Sequence, residues 1–297
     1  MTPRPLRQFY DHDRRFVLDG LDRPEAAFRR HRARFLGALA SLTDAEWAAT
    51  TRCDAWSAKD VVLHLVSADG YWALTLPGRS QAEKTTYLRG FDPTSTPDAV
   101  IASKREQTTT EALAALAQST DQLAAAFAQI GDDEWSLLSE SPFGHVPVRV
   151  IAAHALWDSW LHERDVLVPL GRSVPVEIDE LLNATAFTLF LGGAQGGVLD
   201  DAGAVGDGPD ATVVATVAFD DLPVGALHIR VDRDVTVRVD RDVTVGVTAA
   251  ARADGAVRPG SAVDFVEAVA GRAPTGPVLA RLPADLSAQL ARASQVL

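Results

Sequence analysis

Apolar residues recur at helical spacing through the first 170 or so positions and at alternate positions beyond about 205, and this change of period predicts two kinds of structure in one chain. From Pro24 to Leu42, Ala27, Phe28, Phe35, Leu36 and Leu39 share one face, and arginines occupy the other. That is an amphipathic helix. A second helix is predicted from Ser57 to about Leu76, with Val61, His64, Leu65, Ala68 and Trp72 facing inward. Ser57 and Asp60 make a capping box with Asp in the position usually held by Glu, and Pro77–Gly78 ends the helix. Residues 79–96 read as a loop. Pro97 to about Ile130 reads as one long Ala-rich helix, stopped near Gly131, and Pro147 to about Leu170 as a fourth, stopped by Gly171. Four amphipathic helices with modest connections predict a four-helix bundle.

The second half begins with a helix from about Ile178 to Leu191, followed by a flexible break at Gly192 to Gly197. No strand precedes these glycines, so they are not a phosphate-binding loop. An Asp- and Gly-rich linker is expected at 198–210. Four β-branched runs follow (ATVVATVAF, ALHIRVD, VTVRVD and VTVGVTAAA), then helices at 262–270 and 283–295. These predict a small α/β domain with a mostly antiparallel sheet. All six tryptophans lie between Trp47 and Trp160. The chain therefore reads as α+β, with a helical domain at 1–175 and a small α/β domain at 176–297. Within the latter, VDRDVTVR at 231–238 is followed by VDRDVTVG at 239–246. The eight-residue period keeps the strand alternation in phase, either as two paired strands or as one lengthened strand. The acidic repeat lacks the Gly-rich pattern of calcium turns.

A chain of 297 residues with formal charge −12 has room for sizeable cores and is a poor match for nucleic acid or an anionic membrane. No run approaches the roughly 20 apolar residues of a membrane span, and the N-terminus lacks a signal peptide's apolar core. Cys53 is the sole cysteine, so no intrachain disulfide forms, and a reducing cytoplasm is the expected location. Nothing marks an interface, and a monomer or a homodimer fits equally.

The candidate chemistry sits on the helices. His64 lies on the inward face of the second, and Asp158 and His162 lie four residues apart on the fourth. An i, i+4 pair shares a helical face, so the three can converge on one divalent metal. Three protein ligands leave a coordination position open, the layout of a catalytic site. A buried carboxylate such as Asp158 must be paired, metal-bound or solvated, and an internal Asp–His ion pair has the same spacing. His154, one turn before Asp158, allows the rival set His64, His154 and Asp158. His162 is preferred because Glu163, Arg164 and Asp165 follow it as a supporting group, with Asp165 placed to accept the ligand histidine's other N–H. Arg164 and Asp165 are the candidate catalytic residues. Cys53, in a loop before a helix, is expected to be structural rather than a nucleophile.

Two separated motifs carry a family resemblance. Trp47, Thr51, Cys53, Trp56, Ser57, Asp60, Val61, His64 and Leu65 form the first, and Asp158, Trp160, His162, Glu163, Asp165 and Val166 the second. Over about residues 25–172 the chain resembles the maleylpyruvate isomerase family of mycothiol-dependent enzymes, within the DinB-like superfamily. The resemblance implies a DinB-like four-helix bundle and a divalent metal, zinc first among the candidates, held by His64, Asp158 and His162. The isomerase has Glu where this chain has Asp158, whose reach is shorter. It also implies a sterol-carrier-like α/β C-terminal domain, which AVDFVEAVAGRAP (Ala262 to Pro274) resembles, although the usual Gly-Asp that follows is missing.

An open zinc site binds thiols and favours their thiolates near neutral pH. The expected partners are thus a low-molecular-weight thiol, mycothiol, and a small-molecule electrophile. The expected activity is S-transfer or cis–trans isomerisation, with Arg164, Arg230, Arg238 or Arg272 as possible holders of a substrate carboxylate. Two rival readings stand beside it: a metal-dependent hydrolase or lyase that activates water, and a non-catalytic small-molecule-binding protein on the same fold.

Overall fold

The structure, a computed structural model, describes residues 5–10, 16–53, 55–81, 83–196, 213–223, 226–231, 235–240 and 256–295. It divides into two compact units, Arg23–Glu180 and Met1–Asp22 with Leu181–Leu297. The fold is α+β, as the sequence predicts, with a helical unit and a small unit built on a sheet.

The helical unit contains α1 (Pro24–Leu39), a short α2 (Asp44–Trp47), α3 (Ala58–Thr75), α4 (Ser95–Ala102), α5 (Thr109–Ala128) and α6 (Val148–Leu167). Pro24 opens α1 at a position where its missing N–H costs nothing. The Ser57–Asp60 capping box starts α3. The apolar faces are buried, Phe28 on α1, Phe127 on α5 and Ile151 and Trp160 on α6 among them, and Phe35 and Leu39 from α1, Val61 and Leu65 from α3, Leu116 from α5 and Val166 from α6 share one core cluster. Each such side chain contributes about 1.5–3 kcal/mol relative to exposure.

The long helix expected over Pro97–Ile130 is instead two. Thr108 Oγ1 accepts from Glu111 N–H at 3.2 Å while Glu111 Oε2 accepts from Thr108 N–H at 2.7 Å, a reciprocal cap that starts α5 afresh. Lys59 Nζ donates to the carbonyls of Arg105 and Gln107 at 2.9 and 3.1 Å, which a continuous helix would use internally. Before α6 lies an unforeseen hairpin of β2 (Leu138–Ser141) and β3 (Gly144–Pro147), which turns at Pro142 and Phe143 and enters β3 at Gly144 with φ +87°.

In the second unit, β1 (Phe16–Asp19), β4 (Val213–Val217), β5 (Ala226–Val231) and β6 (Val235–Asp240) form a sheet in the order β1-β6-β5-β4. β4, β5 and β6 are antiparallel, as expected, and β1 pairs parallel to β6, Phe16 with Val235 through Asp19 with Arg238. This pairing sets Phe16–Asp19 within the second unit. The helix that spans the unit boundary, α7 (Ile178–Gly196), runs straight through the glycines expected to break it. Their use is close approach rather than flexibility. A Cβ at Gly193 would lie 2.9 Å from side-chain methyls of Val231 and Val235, and one at Gly196 would strike the backbone of Gln289. Among the described residues, the helices α8 (Ala262–Val269), α9 (Gly276–Leu279) and α10 (Ala284–Ala293) follow. The second copy of the repeat, from residue 241 on, and the linker at 198–210 lie outside the described residues. Among the described residues no helix is long and apolar enough to cross a membrane.

Candidate metal centre

The capped start of α3 places His64 two turns in, and α6 presents Asp158, His162 and Asp165 within two turns of one another on one side. His64 Nε2 lies 3.4 Å from Asp158 Oδ2, and His162 Nε2 lies 3.4 Å from Asp158 Oδ1. The two imidazole rings are 5.0 Å apart, and the Trp56 ring lies 5.1 Å from His64 and 6.1 Å from His162. The Trp56 indole N–H is anchored on Asp98 Oδ1 at 2.7 Å.

This donor set fits a divalent ion. Asp158 Oδ2 is buried, and its contact with His64 is not aligned as a hydrogen bond. Ligand atoms about 2.0–2.1 Å from a tetrahedral ion are spaced about 3.3 Å apart, near the 3.4 Å separations seen here. Burial pushes the Asp158 carboxyl up, but the facing His64 and His162 pull harder and hold it well below the usual carboxylate range. Burial likewise lowers His162, while Asp158 and a hydrogen bond to Asp165 raise it well above an ordinary imidazole. Without an ion, Asp158 is thus an anion between two imidazoles.

The other edge of His162 is equally occupied. Its Nδ1 is 3.0 Å from Asp165 Oδ2, the orienting contact expected from the spacing. Asp165 is fully buried and is also engaged by Arg52, whose Nε donates to Oδ1 at 3.1 Å and whose backbone N–H donates to the Asp165 carbonyl at 3.1 Å. The Cys53 thiol donates to Asp165 Oδ2 at 3.2 Å and stands 3.7 Å from His162 Nδ1. Sequence reasoning did not name Arg52, whose one signal is its place next to Cys53, a member of the first motif.

Other candidates are placed elsewhere. Arg164 lies with its guanidinium 4.7 Å over the Trp160 ring. Glu163 faces α1, where it pairs with His31 at 3.0 Å and Arg34 at 2.7 Å. His154 packs among Trp72, Phe143 and Trp157, and burial lowers its pKa to about 4, so the ring is neutral at pH 7. It stands in neither of the donor groups around His162. In the second unit, Arg230 and Arg238 are exposed on β5 and β6, and Arg272 donates to the Ala270 carbonyl.

Residues 28–167 match the family described as Mycothiol maleylpyruvate isomerase N-terminal domain. Two solved structures resemble the chain in fold. The crystal structure of the mycothiol-dependent maleylpyruvate isomerase superposes with a TM-score of 0.54 at 15% identity, covering 84% of this chain and 88% of that one. A histidine-to-alanine variant of that isomerase gives 0.55 at 14% identity, with the same coverage. No curated protein matches in sequence. Over residues 28–167 the chain is thus similar to that domain family, and it shares the fold of the two isomerase structures.

Proposed function

We propose that the protein is a metal-dependent enzyme that uses mycothiol as a thiol cosubstrate, transferring it to, or isomerising through it, a small electrophilic substrate. The carrying observation is the convergence of His64, Asp158 and His162 from two helices at ligand spacing, within the residues that match this family. Nε2 of each histidine and the Asp158 carboxylate would hold the ion. A bound zinc or similar ion supplies Lewis acidity that favours the thiolate form of a thiol at neutral pH. The chain's own contribution is orientation. Asp165 Oδ2 accepts from His162 Nδ1 at 3.0 Å, which directs the Nε2 lone pair toward the ion. The Trp56 ring walls one side of both histidines and shields that side from water. Arg164, stacked on Trp160, has no part in this reading.

The test begins with elemental analysis of the purified protein and of His162→Ala. About one divalent ion per chain is expected, falling close to zero in the variant. Loss of activity should exceed the 10–100-fold that removal of an outer hydrogen-bond partner costs. Maleylpyruvate, the substrate named for the solved relatives, is the first compound to assay, with mycothiol, with another thiol and with none. Turnover only with a thiol supports the proposal. Equal turnover without one makes the protein a water-activating hydrolase or lyase. An absence of metal even after reconstitution sinks the catalytic-metal reading.

A further inference from the structure

His162 is shared by two sets of ligand atoms and offers a different ring nitrogen to each. Nε2 faces Asp158, and Nδ1 faces Asp165 Oδ2 at 3.0 Å and Cys53 Sγ at 3.7 Å, with the thiol and that carboxylate oxygen 3.2 Å apart. Bonds of about 2.3 Å to sulfur and about 2.0–2.1 Å to nitrogen or oxygen space tetrahedral donors roughly 3.3–3.6 Å apart. The Cys53 set lies within a few tenths of an ångström of that spacing.

We infer that Cys53 Sγ, Asp165 Oδ2 and His162 Nδ1 form a second cation position, selective for thiolate-preferring divalent ions and joined to the first through the His162 ring. A sulfur–nitrogen–oxygen set selects zinc, cobalt(II) or cadmium over magnesium or calcium, which demand oxygen donors. The position is built rather than accidental. The Arg52 N–H holds the Asp165 carbonyl at 3.1 Å, and the Trp56 N–H holds the Cys53 carbonyl at 2.9 Å, so the loop delivers the thiol to one place. Arg52 Nε occupies Asp165 Oδ1 and leaves Oδ2 directed at the thiol and the ring. Its positive charge is the opposing term, and it sets the affinity below that of the first position. Cys53 is only half-buried, which gives an ion a route in. Binding releases two protons to solvent, one from the thiol and one from Nδ1. With both positions filled, His162 bridges as an imidazolate, and no electrons move. The inference does not depend on the mycothiol reading.

The experiment is a cobalt(II) titration of the metal-free full chain, following bound metal by elemental analysis and thiolate-to-cobalt charge transfer by near-ultraviolet absorption. Two equivalents are expected, one of which brings the charge-transfer band. Cys53→Ser should bind one equivalent without the band, and His64→Ala one equivalent with it. Absence of the band in the wild type at any loading overturns the inference and leaves Cys53 as a hydrogen-bonded thiol. Loss of the band in His64→Ala also overturns it, because the thiolate would then belong to the ion at His64. Cys53 is the only thiol, so the wild-type spectrum decides even if Cys53→Ser fails to fold.

Discussion

The two units bury polar groups of different kinds. In the helical unit His31, Arg32, Asp69, Glu163, Asp165 and Glu180 are all 0–1% exposed, and Asp158 and His162 are nearly so. In the second unit the buried polar residues among those described are Asn183, Thr185, Thr188, Gln195 and Gln289, none of them ionisable. A core that needs only to fold has no use for buried charge, because desolvation offsets most of what pairing returns. Part of the buried charge in the helical unit, at Asp158, His162 and Asp165, belongs to the candidate metal centre. The charged groups there also fall into separate networks. Glu163 with His31, Arg34 and Glu180 ties α1 to α6 and the start of α7, while Asp158, Asp165 and Arg52 surround His162.

The first network should dominate stability. Glu163 is buried between His31 and the Arg34 guanidinium. Burial raises its carboxyl, but His31 and Arg34 bring it down to about 2, so it is ionised at any ordinary pH. Glu163→Ala would leave the buried His31 ring without its partner and Arg34 with only Glu180 as counter-charge, a change expected to cost about 3–5 kcal/mol. Urea unfolding of the metal-free protein measures it, and a cost below about 1 kcal/mol would break the contrast between the units. In the second unit the comparable vulnerability is steric. Gly196→Ala would set a methyl 2.6 Å from the Gln289 Cα, on backbone that cannot rotate away. About 3 kcal/mol is expected, at the upper end of overpacking costs. A smaller loss in the same unfolding assay would mean that α7 and α10 can slide apart.

The sequence carried the parts of this contrast that are periodic. The four main helical segments follow from apolar spacing, and Asp158, His162 and Asp165 follow from one helical face, because both signals are local. What was hidden depends on contacts far along the chain. Phe16–Asp19 becomes a strand only by pairing with Val235–Asp240. The break before Thr109 depends on Lys59 reaching two carbonyls as well as on a cap concealed in an Ala-rich run. The glycines after Leu191 read as a break because sequence spacing does not reveal that Val231, Val235 and Gln289 come against them. Arg52 and Cys53 sit in a loop with no period at all, so only the fold brings them to Asp165. Glu163 stands beside His162 in sequence, yet successive helical residues point about 100° apart and its carboxylate meets His31 and Arg34.

Asp165→Asn sharpens the comparison from the functional side. The amide oxygen can still accept from His162 Nδ1, but the negative charge facing Arg52 and the ring is lost. Affinity at the position held by His64, Asp158 and His162 is expected to fall 10–100-fold, about 1.4–2.7 kcal/mol. Competition with a chelator of known affinity measures it directly. If affinity is unchanged while stability drops, Asp165 serves only to pin the Arg52 loop.

The smallest effect is expected at Thr185. Its side chain is fully buried in α7, and its hydroxyl donates to the Leu181 carbonyl at 2.7 Å. That carbonyl already lies in the hydrogen-bond ladder of the helix, so the hydroxyl adds a second bond to an acceptor that is satisfied without it. Thr185→Val removes the hydroxyl and substitutes a methyl of similar size, leaving no buried charge or orphaned donor behind. A change within about 1 kcal/mol is expected by urea unfolding, with metal content unaltered. The contrast with Asp165→Asn is the decisive feature. Both substitutions are near-isosteric and both are at buried polar positions, but only one alters a group whose charge orients another residue. A loss at Thr185 as large as that at Glu163 would show that the second unit also relies on buried polarity, and the division between a chemical core and a purely structural one would fall.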